Sequence, residues 1–175
     1  AGERMAAYRF SGYWKDVGTI DSLWDANMDM LAVDSGVQLF DPTWPIYART
    51  PTKPPHFMGS KAVVSHSMVT GGCEVYGEVE NSVLFHSVRV EEGAQVKYSI
   101  LMPGAVVKAG AVVEYAIVAE NAVIGEGARV GAPPEDDKPE EWGIAVVAEG
   151  IKVGDGARIP AKSMVTRNVK SGGVR

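Results

Sequence analysis

From residue 94 to residue 130 an apolar side chain recurs at every sixth position: Ala94, Ile100, Val106, Val112, Val118, Ile124 and Val130. Two residues ahead of most of them stands a very small one, in a second column that reads Gly104, Gly110, Ala116, Ala122 and Ala128. Helices repeat at about 3.6 residues and simple strands at about 2. A strict six is three alternations followed by a turn, which predicts a parallel β-helix whose coil is a triangle of short flat strands, about 18 residues around. The small column is expected at the tight interior corner.

The same period runs less regularly on either side. Val69 and Val75 are six apart with Cys73 between them, and Leu84, Val90 and Val96 keep the spacing, with Asn81 and Tyr98 as expected turns and register shifts at 76–82 and near Val96. Residues 131–143 are dense in proline and acid, and are expected to form a loop extruded from one corner. The six returns with Val147, Val153, Ile159 and Val165, accompanied by Ile151, Ala157 and Ser163 in the small column. The polar tail 166–175 is expected to fray.

The first sixty residues follow another pattern. Residues 5–10 predict a short strand that ends at Ser11 and Gly12. After the string GYWKDVGT, the apolar positions Ile20, Leu23, Trp24, Met28 and Leu31 predict an amphipathic helix to about residue 32, with Thr19 as N-cap. Such a helix must bury its apolar face, and the β-helix is the partner on offer. Residues 41–60 hold Pro42, Pro45, Pro51, Pro54 and Pro55 and predict an extended linker, with Trp44 and Tyr47 strapping it to a surface. The expected organisation is therefore mainly β: 1–40 as the strand-helix end of an α/β domain, 41–60 as linker, and 61–175 as a parallel β-helix with an inserted loop at 131–143.

Composition narrows the classes. The 175 residues are 46% hydrophobic and 22% charged, which suits a soluble globular chain, and no apolar run has the length of a membrane span. The net charge of -5, without a basic tract, excludes the footprint of a nucleic-acid binder. The single Cys73 allows no internal disulfide, fits the cytoplasm, and is expected in the core rather than as a catalytic thiol. The N-terminus has neither an initiator Met nor a signal core, and it starts as though continuing from a longer protein.

Reactive groups are few. His56, His66 and His86 stand at no ligand spacing, and no zinc pattern, nucleophile elbow or phosphate loop occurs. Asp16 is the exception. A carboxylate beside Trp14, at a turn just ahead of a helix N-terminus, is placed to hold Mg²⁺ while the helix end faces phosphate. The plainer reading, that Asp16 caps the turn and Trp14 is core, stays open on spacing alone.

The string GYWKDVGTIDSLWDANMDML resembles the segment that ends the nucleotidyltransferase domain in the glucose-1-phosphate adenylyltransferase family, also called ADP-glucose pyrophosphorylases. MVTGGCEVYGEVENSVLFHSVRVEEGAQVKYSILMPGAVV and YAIVAENAVIGEGARVGAPP resemble the left-handed β-helix of its bacterial members, and EEWGIAVVAEG resembles its returning coil. The resemblance covers nearly the whole chain. It implies that the intact enzyme joins ATP and glucose 1-phosphate into ADP-glucose and pyrophosphate for glycogen synthesis, with Asp16 as a Mg²⁺ ligand and Trp14 lining the glucose pocket. It implies too that the glycine-rich nucleotide loop, the second metal-binding Asp and the sugar-phosphate Lys lie ahead of position 1, so that this chain alone is inactive.

For the β-helix the resemblance implies a homo- or hetero-oligomer, a tetramer in the family, and a share of an allosteric site. Ala148 and Glu149 stand where some members carry an effector-gripping cation. Lys152, Arg158, Lys162 and Arg167 are the nearby alternatives. A hexapeptide-repeat acyltransferase, for which His66 or His86 would be the general base, and a non-catalytic partner subunit are the rival readings.

Overall fold

A computed structural model describes residues 2, 4–32, 34–37, 39, 41–47, 51–135 and 142–174. Its core is a parallel β-helix of six coils, each contributing one short strand to each of three six-stranded sheets. Sheet A runs Phe57–Met58, Glu74–Val75, Arg89–Val90, Val106–Val107, Val123–Ile124 and Lys152–Val153. Sheet B runs Val63–Ser65, Glu78–Glu80, Gln95–Lys97, Val112–Glu114, Arg129–Val130 and Arg158–Ile159. Sheet C runs Met68–Val69, Val83–Leu84, Ile100–Leu101, Ala116–Val118, Ala145–Val147 and Met164–Val165.

One side chain per strand points inward and stacks on its equivalent a coil away. Val75, Val90, Val107, Ile124 and Val153 form the stack of sheet A, and Val79, Val96, Val113, Val130 and Ile159 that of sheet B, all essentially without solvent contact. Leu84, Leu101, Val118, Val147 and Val165 complete the triangle from sheet C. Burying each of these aliphatic side chains contributes about 1.5–3 kcal/mol.

The repeat is not the strict six that the sequence predicts. Val90, Val107 and Ile124 stack at intervals of 17 residues, because the corner from sheet B to sheet C is one residue shorter than the other two. The apolar series of sixes therefore slides across the wall: Ala94 is an interior corner, Val106 and Val112 sit on the outer face, and Val118, Ile124 and Val130 are core. Ile100, although fully buried, belongs to an outer-face cluster under the helix. Likewise Gly104 and Gly110 are turn residues with φ of 71° and 65°, and the interior small residues beside them are Ala105 and Ala111, both fully buried.

The short corner is built from single left-handed residues. His66, Asn81, Tyr98 and Tyr115 have φ of 44°, 45°, 48° and 48°, a conformation unusual for a non-glycine residue. A serine ladder supports it. Ser99 Oγ accepts the backbone N–H of Ala116 at 3.1 Å and donates to the Lys97 carbonyl at 2.8 Å, and Ser82 repeats both bonds one coil earlier. Ser82 and Ser99 are fully buried, so each hydroxyl satisfies a backbone group that has no water.

The helix runs Ile20–Asp29, ending short of residue 32, and Thr19 caps it in a capping box with Ser22. Its apolar face lies on the outside of sheet C. Leu23, Trp24 and Met28 pack with Phe85, Met102, Tyr115 and Trp142 around Ile100, Ile117 and Ile144. The indole N–H of Trp24 donates to the Tyr98 carbonyl at 2.7 Å. Sheet C is thus apolar on both faces, as parallel sheets covered by helices are.

Three expectations are corrected. Residues 5–10 form no strand: no neighbouring strand among the described residues offers them a ladder, and Met5 and Tyr8 are 96% and 88% exposed. The linker is not strapped down through Trp44 and Tyr47, which are 83% and 91% exposed. Its end does dock, because the Pro54 carbonyl accepts the N–H of Gly72 at 2.7 Å and Phe57–Met58 already pair with Glu74–Val75. The tail is more ordered than its polarity suggests, since Val169 and Val174 bridge to Val153 and Arg158 and start a further coil. The loop of 131–143 leaves at the corner from sheet B to sheet C. Residues 136–141 lie outside the described set, and the neck is closed by Trp142, whose indole N–H donates to the Ala132 carbonyl at 2.8 Å.

Ser99→Ala is predicted to lower the unfolding free energy by about 1–3 kcal/mol, since it leaves the Ala116 N–H buried without an acceptor. Urea unfolding followed by circular dichroism checks this, and an unchanged midpoint would mean that the serine ladder carries no weight.

Candidate functional site

Residues 13–16 alternate sides. The Tyr13 hydroxyl donates to Asp29 Oδ2 at 3.0 Å, and Lys15 Nζ bonds the same oxygen at 2.7 Å while lying 3.8 Å from Asp25. The odd residues are thereby held to the last turn of the helix, and the even ones are presented to solvent: Trp14 is 76% exposed, and Asp16 is exposed as well.

The Lys15–Asp29 contact perturbs both partners. The hydrogen bond to Asp29 holds the Lys15 ammonium above its ordinary value, and the bond from Lys15 holds the Asp29 carboxyl below the usual carboxylate range. The Tyr13 phenol is pushed up by burial first and by its bond to Asp29 second. These groups are solvent-accessible, so the pair orients the segment more than it stabilises the fold.

Asp16 does not cap the helix, because Thr19 does. Among the described residues its carboxylate has no hydrogen bond or ion pair. A Cβ atom built on Gly18 would lie 3.8 Å from Asp16 Oδ1, so the carboxylate sits over the turn that enters the helix. Mg²⁺ in phosphate-transferring sites is held by one or two carboxylates, the rest of its shell coming from phosphate and water. Asp16 fits as one such ligand. It does not make a cage by itself, and no group of three or more His, Cys, Asp or Glu among the described residues could hold a metal.

The other candidates are dispersed. Lys152 is on sheet A, Arg158 on sheet B, Lys162 at the corner between B and C, and Arg167 beyond the last strand of sheet C, so no single surface gathers the four. Lys162 is engaged at the loop neck, where its N–H donates to the Gly143 carbonyl at 2.7 Å. His66 and His86 occupy different corners. His66 Nδ1 lies 2.6 Å from Asn81 Oδ1, and His86 borders a groove with Thr70, Pro103 and Glu120, its Nδ1 buried without a hydrogen-bond partner among the described residues. Cys73 is 1% exposed, its thiol donates to the Phe85 carbonyl at 3.0 Å, and burial pushes that thiol up.

Sequence reasoning missed the aromatic clamp at the short corner. Tyr98 and Tyr115 stack with centroids 4.8 Å apart and planes 7° from parallel, Trp142 meets Tyr115 edge-on at 5.5 Å, and Trp24 lies 5.9 Å from Tyr115. The separation of the two tyrosines by one coil was the available signal, hidden while the coil was taken as 18 residues.

Residues 53–154 match the family described as GlmU-like, C-terminal hexapeptide, which agrees with a left-handed winding of the solenoid. Residues 1–33, which include Trp14 and Asp16, match the nucleotidyl transferase family. The chain is 50% identical over 103 residues to a glucose-1-phosphate adenylyltransferase of Clostridium perfringens, an alignment covering 59% of this chain and 26% of that protein. It is 49% identical over 104 residues to proteins of the same name from Bacillus mycoides and Bacillus cereus, covering 59% of this chain and 28% of each. The chain spans about a quarter of the length of the curated relatives it matches. No helix among its described residues is long and apolar enough to cross a membrane.

The Lys15–Asp29 contact makes a pH prediction. A carboxyl held low in the folded state adds stability above its unfolded value and loses it as pH falls through its folded value. An NMR titration should therefore place the Asp29 midpoint below the usual carboxylate range, and Lys15→Met should return it there. Identical midpoints in the two proteins would remove the anchor of residues 13–16.

Proposed function

The chain belongs to the GlmU-like C-terminal hexapeptide family, and we propose that it is the C-terminal assembly and regulatory portion of a glucose-1-phosphate adenylyltransferase. The observation that carries this reading is the joint one at the N-terminal segment. A nucleotidyl transferase match spans the residues that hold Trp14 and Asp16 out to solvent, directly ahead of a hexapeptide solenoid about half identical to enzymes of that name.

On this reading the intact enzyme acts on ATP and glucose 1-phosphate in the cytoplasm. A phosphate oxygen of the sugar attacks the α-phosphorus, the bond to the β-phosphate oxygen breaks, and ADP-glucose and pyrophosphate leave. Asp16 contributes one carboxylate to the site that holds Mg²⁺, an ion whose charge offsets the repulsion between the two phosphates. Trp14 offers an apolar indole face to the sugar ring. Tyr13 and Lys15 are positioning residues, tying this pair to the helix and, through Trp24, to the solenoid.

On the same reading the solenoid serves assembly of an oligomer and transmission of regulation to the segment at 13–16, which the hexapeptide match supports. Lys152, Arg158, Lys162 and Arg167 are candidate effector contacts that act separately or across subunits, since they do not converge within one copy.

In the full-length enzyme that carries this chain, Asp16→Asn is predicted to lower kcat by about a hundredfold or more, and Trp14→Ala to act mainly on KM for glucose 1-phosphate. Wild-type kinetics in both variants would sink the assignment. The 175-residue chain alone, given ATP, glucose 1-phosphate and Mg²⁺, is expected to form no ADP-glucose.

A further inference from the structure

Two adjacent arginines on sheet B place like charges side by side. Arg129 and Arg158 are direct register partners on neighbouring parallel strands, both on the outer face and both exposed. Like charges paired in this way destabilise a sheet. Among the described residues neither guanidinium forms an ion pair. The other arginine on a solenoid face, Arg89 on sheet A, is bound to Glu74 at 2.6 Å.

The opposite charge lies on the same face, at the other end. The outer row of sheet B runs Val63, Glu78, Gln95, Val112, Arg129 and Arg158 from the first coil to the last. Alongside it, Glu80, Lys97 and Glu114 form a second register row. Lys97 is shared between Glu78 at 3.2 Å and Glu80 at 3.6 Å, so the early strands keep excess acid. Among the described residues three carboxylates and three cations balance over the face: Glu78 and Glu80 stand toward one end, Arg129 and Arg158 toward the other, and Lys97 and Glu114 flank Gln95 and Val112 at the middle. Sheet C is covered by the helix, whereas among the described residues no helix lies on sheet B.

We infer that sheet B is a self-complementary docking face on which a second copy of the chain lies antiparallel. A two-fold axis lying in the contact plane, parallel to the strands and passing between Gln95 and Val112, sets Arg129 of each copy against Glu78 and Glu80 of the other and Lys97 against Glu114, with Arg158 one coil beyond. A two-fold contact requires this reciprocity, residue i meeting j and j meeting i. A parallel arrangement would oppose arginine to arginine, so the charges select the orientation as well as the partner. The inference rests on the assembly reading of the solenoid and names the surface that performs it.

Sedimentation equilibrium of the 175-residue chain tests it. The wild type should associate, and association should weaken at about 0.5 M salt relative to about 0.02 M. R129E/R158E and E78K/E80K should each lose self-association by about tenfold or more, because each makes the face one sign. Mixed together, the two variants should form a heterodimer, which also shows that both are folded. A wild type that associates equally well with or without these changes, or variants that fail to pair when mixed, would overturn the sheet B contact and leave the assembly reading standing. A wild type that is monomeric at every concentration would remove both. A monomer that binds inorganic phosphate, with binding lost in R129E/R158E, would assign the arginines to an anion and overturn the dimer.

Discussion

The apolar contact between one helix and the outer face of sheet C joins the two parts of this chain. A ten-residue helix is marginal in water, because nucleation is costly and few bonds repay it. Thr19 caps one end, but the face made by Leu23, Trp24 and Met28 needs a surface to cover it. Ile100 and Ile117 supply that surface, and the short corner supplies Tyr98 and Tyr115 beside it. The Trp24 indole bond to the Tyr98 carbonyl sets the position of the helix along the solenoid. Segment 13–16 depends in turn on Asp29 at the helix end, so the exposure of Trp14 and Asp16 follows from packing on the opposite side of the helix.

Much of the frame was legible in the sequence. Aliphatic and small columns at a period near six announce a β-helix because a triangular coil needs one inward residue per side and a small residue at each interior corner. The helix and its Thr19 cap were readable from apolar spacing and capping chemistry. The coil length was not, because a single left-handed residue such as Tyr98 shortens one corner without a glycine to mark it. That missing residue moved Val106 and Val112 from the expected core to the outer face, and it concealed the register of Tyr98 on Tyr115. The strand expected at residues 5–10 failed for a different reason: alternation predicts a strand only where a neighbour can pair with it.

The candidate site was legible as residue types but not as a constellation. Asp16 and Trp14 stood out because of the turn and helix that follow them, and the structure separates them cleanly from Tyr13 and Lys15, which face the helix. The ion pair to Asp29 spans fourteen residues and has no local signature. The cations near the end of the chain looked like one group in sequence, yet a triangular coil distributes neighbours over three faces. Position along such a chain says little about proximity, and position modulo one coil says a great deal.

The helix is ordered by sheet C and not by its own sequence. Amide hydrogen exchange in Ile117→Asp tests this most directly, since the substitution puts a charge beneath the helix while leaving every inward stack intact. The amides of residues 23–29 are expected to lose protection by about tenfold or more, while those of Val96, Val113 and Val130 in sheet B keep theirs. Unchanged protection of the helix would contradict it, as would a loss shared equally by helix and solenoid.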